Sequence, residues 1–139
     1  MYARKPLRRR LSAAFAALAK DLEHPGSEAD AWFAPFDVEF DRTRALNADS
    51  FRDAADVAEE LPLTIEPAEL FFARLIEHAE DAEAAATVRT LQRTMDAALV
   101  GEVRYVTAQA DDIPVGQRYL VGRVEGGGLA GLVASIVWT

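Results

Sequence analysis

The stretch from Tyr119 to Trp138 constrains the fold of this chain more than any other. Tyr119–Val124 and Leu129–Trp138 are rich in aliphatic and aromatic residues, and Glu125-Gly126-Gly127-Gly128 between them offers the permissive backbone that a tight reversal needs. The pattern predicts a β-hairpin. Upstream, Val103, Tyr105 and Thr107 begin another strand, and after the turn signal Asp111-Asp112-Ile113-Pro114 the chain returns as the Tyr119 arm. Antiparallel pairing is therefore expected to dominate the C-terminal half.

The rest of the chain alternates helical and extended patterns. Leu7, Leu11, Phe15, Leu18 and Leu22 recur at helical spacing and predict an amphipathic helix that stops before Pro25-Gly26. Phe36, Val38 and Phe40 alternate with Asp37, Glu39 and Asp41, the period of a strand with one buried and one wet face. A short helix is expected from about Asp49 to Glu60. Leu61–Ile65 reads as extended, because Pro62 and Pro67 each push the preceding residue out of helical geometry, and Pro67 suits the first turn of a following helix. Phe71, Leu75 and His78 continue that helix, and Ala84, Val88, Leu91, Met95 and Leu99 mark a longer one that ends at Gly101. The joint between the two falls near Glu77 to Asp81. Four strands with helices before and between them imply an α+β domain.

Composition fits that expectation. A chain of 139 residues, 50% of them hydrophobic, suits one compact domain over residues 1–139, with residues 1–10 a basic N-terminal stretch that is either a solvated helix start or a mobile end. The absence of cysteine excludes a disulfide framework and thiol chemistry, and two distant histidines give no zinc-binding spacing. No apolar run reaches membrane length, and the alanine-rich segment after the arginines lacks a signal-cleavage region, so a cytoplasmic location is expected. Arg4, Lys5, Arg8, Arg9 and Arg10 hold a third of the basic residues. From Leu11 onward ten bases face twenty-three acids, a net charge of −13 that repels nucleic acid and attracts cationic partners.

The C-terminal segment carries more than a turn. Val121, Gly122, Gly127, Leu129, Ala130, Gly131, Val137 and Thr139 fit, without a gap, an ending of hydrophobic-hydrophobic-Gly, a glycine turn, Leu-Ala-Gly, alternating aliphatics and a final Thr. Phe71-Phe72-Ala73-Arg74 looks like a Phe-Phe-x-Arg motif at the start of a helix. On these residues, over roughly Ile65 to Thr139, the chain resembles the nuclease A inhibitor proteins of bacteria. The resemblance implies a single-domain three-layer α/β/α sandwich with a mostly antiparallel sheet. It also implies a non-enzymatic protein, monomeric when free and needing no cofactor, that blocks a sugar-nonspecific Mg²⁺-dependent endonuclease without itself touching nucleic acid or membrane.

The same resemblance picks out contact residues. Members carry a Ser-Glu-containing acidic loop before the first strand and use a glutamate there to reach the metal centre of the target; Ser27-Glu28-Ala29-Asp30 is the matching loop and Glu28 the counterpart. The extra residues Ala31-Trp32-Phe33-Ala34 follow it. A nuclease site built from Mg²⁺ and basic side chains is arranged to stabilise phosphate oxygens, so carboxylates can imitate phosphate. Glu28, with the carboxylate of Thr139 beside it, would fill the substrate position while offering no scissile bond. Asp30, Glu80 and Asp81 would complement the basic rim and speed encounter. Their bland reading is ordinary loop solvation and, at Glu77, Glu80, Asp81 and Glu83, charge at a helix N-terminus. Ile76–Ala86 lacks the Gln and Trp found in the corresponding family loop, which removes an aromatic anchor. Trp138 stands where the best-known family pattern carries an acid, and is either a core aromatic or a replacement anchor. Trp32-Phe33 reads as a core plug, and His24 and His78 have no partner at motif spacing.

Two other classes compete. Asp37, Glu39 and Asp41, with Glu28, could make a carboxylate site for acid/base or metal chemistry, but alternate acids on a strand are more usually a solvated face, and no phosphate loop or nucleophile elbow supports an enzyme. The alternative to nuclease inhibition is an acidic interaction module of the same fold that binds a different basic partner.

Overall fold

The computed structural model describes residues 5–25, 27 and 31–137. Four helices and five strands follow in the order α1 (Leu7–Leu18), β1 (Ala34–Val38), α2 (Ala48–Ala55), β2 (Leu63–Pro67), α3 (Glu69–Glu77), α4 (Ala82–Ala98), β3 (Val100–Ala108), β4 (Val115–Arg123) and β5 (Leu129–Val137). The strands form one sheet in the order β1-β5-β4-β3-β2, with every neighbouring pair antiparallel. Helices cover both faces, giving the α+β three-layer α/β/α sandwich expected from the sequence.

Strand alternation divides the core in two. Leu120, Ala130, Leu132 and Ala134 face α1, α3 and α4, and pack with Phe15, Phe72, Leu91 and Met95. Tyr119, Val121, Val106 and Leu129 face the other way, against Phe51 of α2 and Phe40. The hairpin arms are buried on both faces, which explains why they read as nearly continuous apolar runs rather than as strict alternation. Gly131 sits where β4 and β5 press closest: a Cβ there would stand 1.7 Å from the Leu120 carbonyl oxygen.

Several local expectations change. Leu63–Pro67 is a fifth strand, because Leu63 and Ile65 lay one side on the second core while the backbone pairs with β3; Pro67 is tolerated because β2 lies at the edge. The helix after it starts at Glu69. α4 ends at Ala98, and Gly101 belongs to β3, where its φ of 73° accompanies a register shift between Val100 and Arg104. β1 stops at Val38, so Glu39 and Asp41 lie beyond it. Asp37 is not on a wet face: it pairs with Ala130 of β5 beneath α1, where Arg8 Nε stands 3.2 Å from its carboxylate. The three acids therefore do not line one strand face as expected, although Arg8 reaches both Asp37 and Glu39. Leu7–Arg10 form the first turn of α1.

Candidate functional site

The loop that carries the acidic motif is held at its neck and at its far side. Residues 23 and 32 face each other in an isolated antiparallel bridge, and the His24 N–H donates to the Ala31 carbonyl at 2.8 Å, which closes the neck on both sides of the acidic motif. Ser27 Oγ accepts from the Val137 N–H at 2.9 Å and stands 3.4 Å from the Val137 carbonyl as donor. These bonds satisfy the last described residue of β5 on the side where β1 has already ended at Ala34. Ser27 thus takes the place beside β5 that another strand residue would have filled. Glu28, Asp30, Trp138 and Thr139 lie outside the described residues; their immediate neighbours Ser27 and Val137 are in contact.

Beneath the neck is a polar group that the sequence did not reveal. His24 is 7% exposed, and its Nε2 lies 2.7 Å from the Tyr105 hydroxyl of β3. Phe71, first residue of the Phe-Phe-x-Arg motif, stacks on both rings: centroids 4.2 Å and 9° from Tyr105, 5.2 Å and 25° from His24. Burial, and secondly the Arg118 charge, lower the His24 pKa to about 4. Burial pushes the Tyr105 phenol up to about 12 against the opposing influence of Arg118, which hydrogen-bonds it. The Tyr105 hydroxyl and His24 Nε2 share one hydrogen bond, whose donor is set by the imidazole tautomer. Arg118 also donates to Gln109 Oε1. The motif's Phe71 and Phe72 thus have distinct duties, one flooring the loop and the other filling the core at 1% exposure.

Glu80 and Asp81 come to the same end of the molecule. A groove of about 540 Å³ opens between the end of α1 and the start of α4, lined by Leu18, Lys20, Asp21, Asp81 and Glu83 among others. A second, of about 390 Å³, shares Asp21, Leu22 and Ala84 with it and brings Glu80 and His78 opposite Glu23 and Pro25 at the loop neck. Asp81 has a local duty as well: its carboxylate caps α4 by accepting from the Ala84 N–H at 2.8 Å. His78 is exposed at the end of α3 rather than on a packed helical face.

The Trp32-Phe33 doublet divides. Phe33 is a core residue at 6% exposure, as expected, whereas Trp32 is 49% exposed. Adjacent residues in extended chain point to opposite sides, so a doublet cannot bury both against one layer. Among the described residues, no group of three or more His, Asp or Glu side chains could hold a metal ion, and no helix is long and apolar enough to cross a membrane. Compared with models of known protein families and with curated proteins, the chain matches none.

Proposed function

We propose that this protein is a non-enzymatic inhibitor of a Mg²⁺-dependent, sugar-nonspecific endonuclease, and that it blocks the active site with the carboxylates of its acidic loop and of Thr139. The observation that supports this reading is the bonding of Ser27 to the main chain of Val137, which joins the acidic loop to the end of β5. Ser27, next to Glu28, and Val137, two residues before Thr139, are thereby neighbours, which supports a phosphate mimic built from the two segments. The grooves carrying Glu80 and Asp81 extend the acidic surface away from that point. The ungapped likeness of the ending to the nuclease A inhibitors supports the same reading from sequence.

Titrating such an endonuclease with the protein tests it, on DNA and RNA substrates alike. Inhibition of both is expected. Glu28→Gln keeps shape and removes charge, so it should weaken inhibition about 10- to 100-fold, the value of roughly 1.5–3 kcal/mol for a hydrogen bond to a charged group. A short extension after Thr139 should abolish inhibition, while the same extension before Met1 leaves it intact. Undiminished nuclease activity at saturating protein would sink the proposal. A second reading, an acidic module for another basic partner, is favoured by one departure: Ile76–Ala86 lacks the Gln and Trp of the corresponding family loop.

A further inference from the structure

α2 covers only part of its sheet face. Tyr119 and Phe36 pack against Phe51 of α2, with ring centroids 4.9 Å and 6.0 Å away. Beyond them, toward the end of β5, the register puts Gln117 opposite Ser135 and Val115 opposite Val137 on this same face, with Ala34 in the row below. Val115 is 44% exposed, and Ser135 and Ala34 are open. Trp32, two residues before Ala34, borders the rows at 49% exposure. Neighbouring strands lie roughly 5 Å apart, so these residues form one patch only some 10–15 Å across. A half-exposed indole beside exposed Val115 and Ala34, on a sheet face that α2 leaves uncovered, offers an apolar contact to a partner.

The charge around the patch names its partner's chemistry. Glu23 pairs with Trp32 across the loop neck, and the β3–β4 turn at this end carries Asp111 and Asp112; the base in the adjoining strand is Arg118. Arg118 belongs to the opposite face, where it serves Tyr105. An exposed indole with an acid as its bridge partner and two more on the neighbouring turn is suited to stack on an incoming guanidinium.

We propose that this bare sheet patch, centred on Trp32, is the apolar centre of the surface that receives a basic protein partner, with the Trp32 indole stacked on a partner arginine. The proposal rests on the inhibitor reading for the partner's identity and supplies the aromatic anchor that Ile76–Ala86 lacks.

Two measurements decide it. Against the endonuclease, Trp32→Ala should raise the inhibition constant about 30-fold, mainly through faster dissociation, because a buried aromatic anchor contributes on the order of 2 kcal/mol. Trp32→Phe should recover much of that loss, and Leu70→Ala, which truncates an equally exposed side chain on α3, should change nothing. Trp32 is at the surface, so the melting temperature should hold. Unaltered inhibition by Trp32→Ala overturns the proposal. Should the wild-type protein fail to inhibit the nuclease, the inhibitor reading falls while the patch remains testable with deca-arginine at low salt by two-dimensional NMR. The largest shifts should then fall on the Trp32 indole N–H and the backbone amides of residues 115–117 and 135–137. Shifts concentrated on α2 or α4, with the indole unmoved, overturn it.

Discussion

At the scale of single residues, His24 links the candidate site to protons. An unfolded chain protonates this imidazole near 6.5, while the folded protein resists until about 4, because burial and then Arg118 disfavour the cation. Stability is therefore complete above pH 6.5 and falls as pH drops through that interval, by roughly 3 kcal/mol in all at about 1.4 per pH unit. Urea midpoints at about pH 7.5, 6 and 5 should decline in the wild type. His24→Gln should be less stable at neutral pH but show a flatter decline between pH 6.5 and 5. Parallel curves would mean that His24 is not the responsible group. Nothing in the sequence announces this residue, since its partner Tyr105 is 81 positions away and neither sits in a motif. Trp32 escaped for a different reason: neighbouring aromatics look alike in sequence, and only the direction of the chain separates a buried ring from an exposed one.

At the scale of elements, the hairpin shows how much a short motif can say about packing. Leu129 and Ala130 are fully buried, and Gly131 allows the Leu120 carbonyl to lie where a side chain would begin. Gly131→Ala must push backbone against backbone and should cost more than about 2 kcal/mol in chemical denaturation. Gly126, with φ 88° and open space around it, should lose only about 1 kcal/mol on the same change, through left-handed strain alone. Equal losses at the two positions would refute this division. Helices were legible because their apolar stripes sit opposite the solvent, as with Phe15 in α1 and Val88, Leu91 and Met95 in α4. β2 was missed because five residues flanked by two prolines carry too little alternation to distinguish a strand from a connector. β1 was read too long because Asp37, covered by Arg8, and Asp41, bound to Thr43 in a turn, look the same in sequence.

At the scale of the molecule, the antiparallel sheet sorts charge by end. The end formed by the α3–α4 joint, the acidic loop's neck and the β3–β4 turn carries Asp21, Glu23, Glu80, Asp81, Asp111 and Asp112. Arg42, Arg104 and Arg123 line grooves at the opposite end, where Glu102 and Glu125 stand beside them around the glycine turn and the irregular start of β3. A basic partner of the proposed kind would be steered toward the acidic end. Association rates in stopped-flow should fall as salt rises, since the Debye length shrinks from about 30 Å at 0.01 M to about 8 Å at 0.15 M. Rates indifferent to salt would argue that the acidic pole takes no part in encounter. The uneven sign of the chain was visible in composition, but its sorting into poles was not, because it depends on which turns the strand order brings together.

The strand order also bears on biosynthesis. β1 has a single neighbour, β5, and Ala34 must wait for Val133, 99 residues later. At ribosomal speeds of about 5–20 residues per second, the β1 segment spends roughly 5–20 s without its partner while the helices made in between already seek cover. The sheet therefore cannot close progressively from the N-terminus. Its final arrangement is reached only when the β4–β5 hairpin inserts between β1 and β3, both made before it.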